Sequence, residues 1–264
     1  MAQLFARLRG RGFLQSDEMR AMRLALEFSK ADLALNEKGI VSTIVVFGSS
    51  RILSPEQAEE ALSRAQDSGA VERAKKQKQL SAWYQEARAF GRIVSERGGA
   101  LTGDGQRQNV IVTGGGPGIM EGANRGAAEA GAPSIGFNIV LPIEQPPNPY
   151  TTPDLTFCFH YFAIRKMHFA MRANALAIFP GGLGTMDELF EILALKQTRK
   201  CAQMPVILFS REYWRTVVNF TALEDLGMID SQDAGLFEIV DSAEEAWDAL
   251  VRRGLTVHTP LREP

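Results

Sequence analysis

The run Pro180-Gly181-Gly182-Leu183-Gly184-Thr185-Met186-Asp187-Glu188 sets small residues beside a hydroxyl and a carboxylate. Glycines directly after an apolar strand let backbone amides approach an anion, and a following helix turns its positive end toward that anion. A carboxylate one turn inside such a helix, here Glu188, lies beside whatever carries the anion. Thr185 and Glu188 also have the T-x-x-E spacing of a helix capping box. That purely structural use is open to Ser242-Ala243-Glu244-Glu245 as well. A cap alone leaves the Pro-Gly-Gly-Leu-Gly ahead of it unexplained.

A second cluster is His160-Tyr161-Phe162-Ala163-Ile164-Arg165-Lys166-Met167-His168. Adjacent cations are ordinarily solvated surface charges. Here they stand among Phe159, Tyr161, Phe162, Ile164, Met167 and Phe169, so at least one is forced toward apolar surroundings, where it needs an anionic partner. Two further small-residue loops follow apolar runs, Gly48-Ser49-Ser50 and Gly114 to Gly118. One Gly-rich turn could simply close a βα connection. Three of them, at strand ends where open parallel sheets bind ligands, point to a phosphate-bearing ligand. Neither GxGxxG nor GxxxxGK[ST] is present, which disfavours an NAD-dependent dehydrogenase and a P-loop NTPase.

The elements that must hold these loops read as alternating strands and helices. Thr43 to Gly48, Val110 to Thr113, Ala175 to Phe179 and Pro205 to Phe209 are short apolar runs, the pattern of buried parallel strands. Ser134 to Leu141 and Leu155 to Phe159 are further strand candidates. Helical text fills 17–35, 54–97, the stretch after Gly118, the stretch after Thr185, 210–220 and 242–251. Ser54-Pro55-Glu56-Gln57 supplies a cap, an N1 proline and a capping-box glutamine. Lys75-Lys76-Gln77-Lys78 lies among as many acidic residues and reads as a solvated helix face. The expected fold is α/β: a Rossmann-like open, mainly parallel sheet with helices on both faces and extra helices at both ends. One domain is expected over 1–264, with an N-terminal arm and helix (1–40, the arm to about 16), a core (43–220) and a C-terminal helical extension (221–264).

The bulk numbers exclude several classes. The chain has 264 residues, 45% apolar and 23% charged, an ordinary globular mixture. With 29 Lys plus Arg against 31 acidic residues, the net charge of -2 gives no pull toward nucleic acid or an anionic membrane. Two cysteines make no disulfide framework, and the three histidines make no HExxH, so no metal site is expected. No stretch reaches the ~18 apolar residues of a membrane span. The first residues lack a continuous apolar segment, so no secretory signal is read and a cytoplasmic location is expected.

At these motifs the sequence resembles the Lonely Guy (LOG) family of cytokinin riboside 5′-monophosphate phosphoribohydrolases, whose relatives often carry the label lysine decarboxylase. The family mark PGGxGTxxE is matched at every fixed position by Pro180 to Glu188, its upstream Arg-Lys pair by Arg165-Lys166, and its Gly-Gly-Gly loop with the following helix by Gly114 to Gly126. The resemblance covers roughly 43–220. The run from Ser134 through Tyr161 is similar to the family's longer branch, whereas the helical text before Gly98 departs from the short plant type. The resemblance implies an enzyme that cleaves the N-glycosidic bond of a nucleoside 5′-monophosphate (a cytokinin nucleotide or AMP), with Arg165 and Glu188 as its catalytic pair. The 5′-phosphate is expected on the amides of Gly181, Gly182, Gly184 and Thr185. Gly115, Gly116, Gly48 and Ser49 are expected to line the nucleotide's other side, with Lys166 in the binding set. No cofactor is expected, and a homo-oligomer (a dimer or larger ring) is a family-level implication. The rival is a nucleotide-binding sensor or carrier of the same fold without catalysis.

Overall fold

The apolar runs assemble into one seven-stranded sheet in the computed structural model, which describes residues 11–102, 105–141 and 146–256. Its strands are β1 (Thr43–Phe47), β2 (Val110–Thr113), β3 (Ile135–Ile139), β4 (Thr156–Phe159), β5 (Ala173–Ile178), β6 (Val206–Phe209) and β7 (Glu238–Val240). The spatial order is β4-β3-β2-β1-β5-β6-β7 and each pairing is parallel. The sheet is thus parallel throughout rather than mainly so, and its fold is α/β and Rossmann-like. Every residue of β1, β2, β5 and β6 is buried, which is why these strands read as continuous apolar runs.

Side-chain alternation splits the core into two layers. Val45, Phe47, Val110, Val112, Leu176 and Ile178 face one cluster, with helices α2 (Arg20–Glu37), α6 (Phe162–Met171), α7 (Leu183–Gln197) and α8 (Arg211–Val217). Ile44, Val46, Ile111, Ala175, Ala177 and Phe209 face the other, with α4 (Ser68–Arg97), α5 (Ile119–Glu129) and α10 (Ala243–Arg252). The α4–α5 contact is close enough that a Cβ on Gly91 would fall 2.2 Å from the Ala123 carbonyl oxygen, and one on Gly126 1.9 Å from that of Arg88. Glycine is required there by the approach of the two backbones.

Several local readings are corrected. The helical text of 54–97 is two helices, α3 (Pro55–Arg64) and α4, because Asp67 caps a fresh start by accepting from the Ala70 amide at 2.7 Å. The capping box at Ser54 and Gln57 forms as the sequence implies. Of the arm, 1–10 lies outside the described residues, and Arg11–Gln15 is a short helix, α1, rather than loose chain. The C-terminal segment, expected as helical, also contributes β7, a strand of three residues too short to show a period; 257–264 lies outside the described residues. The short helix α9 (Phe220–Asp225) follows α8.

Strand order reverses between β1 and β5, so the connections leaving them turn to opposite faces and open a crevice at their carboxyl ends. The loops after β1, β2 and β5 meet there. Among the described residues no helix is long and apolar enough to cross a membrane.

Candidate active site

The three loops are bonded to one another. The Ser49 amide donates to the Pro180 carbonyl at 3.0 Å, and the Ser49 carbonyl accepts from the Ile119 amide at 3.1 Å. Gly48 lies against Ile119, where a Cβ would come within 2.6 Å of its side chain. Gly118, at φ 71°, would set a Cβ 2.4 Å from the Ser49 carbonyl oxygen; this turn can only be glycine. Gly115, at φ 69°, packs against the Asn138 carboxamide, and its amide donates to Thr113 Oγ1 at 2.9 Å. The amides of Ser49 and Gly115 are therefore engaged in building the loops.

Asn148, which the motif reading passed over, holds the β2 loop from outside. Its amide donates to the Gly115 carbonyl at 2.8 Å, and Nδ2 donates to the Gly116 carbonyl and to Asn124 Oδ1, both at 3.0 Å. Asn124 Oδ1 also accepts from Thr113 Oγ1 at 2.7 Å. Tyr213 of α8 similarly donates its hydroxyl to the Gly181 carbonyl. These contacts join residues distant in sequence, and no motif marks them.

The loop after β5 is arranged differently. The N-cap of α7 is Gly182, which has no side chain to cap with, and the first intrahelical bond shown is Met186 N–H to Gly182 O at 3.0 Å. Thr185 lies inside the first turn, so Thr185 and Glu188 do not form the capping box their spacing allows. Ser242 does form the cap its own spacing predicts, accepting from Glu245 N–H. The early amides of α7 are left for an outside acceptor. Gly182 and Gly184 are exposed and Thr185 is buried.

Glu188 projects one turn further along, with 7% of its surface exposed. Burial pushes its carboxyl up to about 7, against the opposing pull of Lys166 and Arg165. Lys166 stands 2.7 Å from Asp187 and 2.7 Å from Glu191, but 3.9 Å from Glu188. Arg165 has no carboxylate within ion-pair distance among the described residues, and its Nε is buried without a partner. Its guanidinium lies 5.3 Å from the Phe169 ring centroid and against Gly114, where a Cβ would fall 2.9 Å from Nη2. Burial lowers its pKa, against the raising fields of Glu188 and Asp187. The cation that sequence places in apolar surroundings is thus Arg165, and Lys166 is the paired one.

Two cavities, of about 480 and 360 Å³, are lined by none of these residues. The candidate site is instead the open crevice at the strand ends. Among the described residues no group of three or more His, Cys, Asp or Glu could hold a metal ion.

Residues 120–250, which span α5 to α10 and hence Arg165 and the loop after β5, match the family model described as "Possible lysine decarboxylase". Over this segment the chain is similar to the LOG family, which carries that older label. Among solved structures it is similar to TM1055, a structural-genomics target, at 20% identity and TM-score 0.47, covering 80% of this chain and 99% of that one. It is also similar to the molybdenum cofactor binding protein from the phototrophic bacterium Rippkaea orientalis, at 18% identity and TM-score 0.48, covering 83% and 98%. A search of curated proteins gave no match.

Proposed function

We propose that this chain hydrolyses the N-glycosidic bond of a nucleoside 5′-monophosphate, releasing free base and ribose 5-phosphate. The observation that carries this reading is one helix start, α7, which combines an uncapped N-terminus with the buried Glu188 one turn inside it. Anion and carboxylate are then separated by about the width of a sugar.

The phosphate rests on the amides of Gly181, Gly182, Gly184 and Thr185, with the Thr185 hydroxyl as a further donor. Gly48, Ser49, Gly115 and Gly116 form the facing wall, Ser49 and Gly115 chiefly as shape because their amides hold the loops together. As the bond from C1′ to the base nitrogen breaks, its electron pair leaves with the base and positive charge develops on the ribose. Ionised Glu188 stabilises that charge and orients the water that adds to C1′, taking its proton. The proton passes on to the departing base. Arg165, which lacks a partner of its own, offsets the charge of the phosphate and of the leaving base. Lys166 holds Asp187 and Glu191 away from the carboxylate that acts.

The older label implies pyridoxal phosphate, which needs a free lysine amine for its Schiff base. The lysine beside this site, Lys166, is held by Asp187 and Glu191 at 2.7 Å each, so the residues present do not fit that group. Phe162, Met167, Leu183 and Phe190 are exposed apolar residues on the two helices that carry the site, a surface that suits the homo-oligomer of the family.

Incubating the protein with AMP, GMP, CMP and N6-isopentenyl-AMP and separating the products tests the proposal. Free base from at least one nucleotide, absent with Glu188→Gln, is the expected result and ranks the bases. Thermal stabilisation by a nucleotide without any base release would replace the hydrolase with a nucleotide sensor or carrier.

A further inference from the structure

The helix that carries Arg165 does not cap itself. Its N-cap residue, Tyr161, makes no side-chain cap. Glu27, on α2 ahead of the 43–220 core, takes that place: Oε1 accepts from the Tyr161 amide at 2.9 Å and Oε2 from the His160 amide at 3.0 Å. A carboxylate is the right group there, since it satisfies orphan amides and faces the positive end of the helix. Arg23 Nε adds a bond to the Tyr161 hydroxyl at 3.1 Å. The carbonyl of the same Tyr161 then accepts the Arg165 amide at 3.2 Å. One residue, Tyr161, therefore links the Glu27 carboxylate to the backbone of Arg165.

The rest of α2 grips the remainder of α6. The Phe28 carbonyl oxygen lies 3.1 Å from His168 Nε2, and the Phe28 and His168 rings stand 5.1 Å apart. Just past the helix, Arg172 donates to Asp32 at 2.6 Å and to Asn36 at 3.0 Å. Among the described residues Arg165 makes no ion pair that would fix its side chain, so its placement depends on the backbone of the first helical turn and on the Phe169 ring.

We infer that Glu27 is a positioning residue for the hydrolysis proposed above: it fixes the start of α6 and through it holds the Arg165 guanidinium opposite Glu188. The inference rests on that functional reading. Without Glu27 the first turn of α6 frays, and Arg165 loses its aim while the phosphate loop after β5 stays intact.

The test compares Glu27→Ala, Glu27→Gln and Arg20→Ala by nucleotide hydrolysis, thermal melting and hydrogen exchange. Glu27→Ala should lower kcat about tenfold or more with KM little changed, and should speed exchange of the amides from His160 to Lys166. Glu27→Gln keeps one acceptor oxygen and should recover most of the rate. Arg20→Ala, on the same helix in an exposed pair with Asp17, should leave kcat and exchange as they were. An active wild type with kcat unchanged in Glu27→Ala overturns the inference alone, whether the variant melts lower or exchanges faster. Slow exchange retained at α6 overturns it too. A wild type that releases no base from any nucleotide overturns the hydrolase reading and this role with it.

Discussion

Lys166 stops 3.9 Å short of Glu188 although it reaches Asp187 and Glu191 at 2.7 Å each. The strongest cation near the buried carboxylate is thus shared with two more exposed ones, and burial wins: Glu188 is pushed up to about 7. If Glu188 acts ionised, kcat/KM should rise with pH through about 7 in the free protein. Lys166→Met removes a field that favours the anion, so the same limb should move to higher pH. A flat profile between pH 5 and 8 in both proteins would remove Glu188 from the rate equation.

The same shift has a consequence for stability. Because burial raises the folded-state pKa of Glu188 above its ordinary 4.5, the folded protein holds that proton more tightly than the unfolded chain. This contribution is full below about pH 4.5 and is lost as pH rises through about 7. Glu188→Gln carries no charge to bury and should be more stable than wild type at pH 8, by about 3 kcal/mol. The gap should close toward pH 5. Melting curves at both pH values check the sign, and a variant less stable at pH 8 contradicts the burial argument.

Arg165 presents a parallel case with a charge that cannot be shed. A guanidinium buried against Phe169 and Gly114, with no ion-pair partner among the described residues, destabilises the unliganded protein. Arg165→Met keeps the length and apolar fit of the stem. It should stabilise the protein without nucleotide by about 1 kcal/mol or more, seen as a higher melting temperature, and reduce turnover by about a hundredfold or more. A variant that is both less stable and fully active would make Arg165 a structural cation.

Local chemistry made the centre of this site legible. β1, β2, β5 and β6 are buried on both sides and so appear as apolar runs, and the small-residue turns follow β1, β2 and β5 directly. The Thr185–Glu188 spacing allows a capping box, and the structure excludes that use because the helix begins at Leu183, two residues before Thr185. What stayed hidden depends on distance. Glu27, Asn148 and Tyr213 each bond to a loop or helix start far away in sequence, and no periodicity marks them. β7 escaped for another reason: at three residues it borrows its order from β6.

Asn148 offers the last prediction, because it separates loop shape from chemistry. It is buried, and its side chain makes bonds to Gly116 O, Asn124 Oδ1 and the Tyr150 amide. Asn148→Ala strands the Gly116 carbonyl and should cost about 1–3 kcal/mol in urea unfolding. Asn148→Asp replaces the amide donor with a carboxylate facing the Gly116 and Asn124 oxygens, and should cost more. Neither change touches Glu188 or Arg165. The loop proposed as the nucleotide's wall is loosened, so on that proposal KM for AMP should rise several-fold while kcat at saturation stays near wild type. A fall in kcat with KM unchanged would instead place the β2 loop in the chemical step.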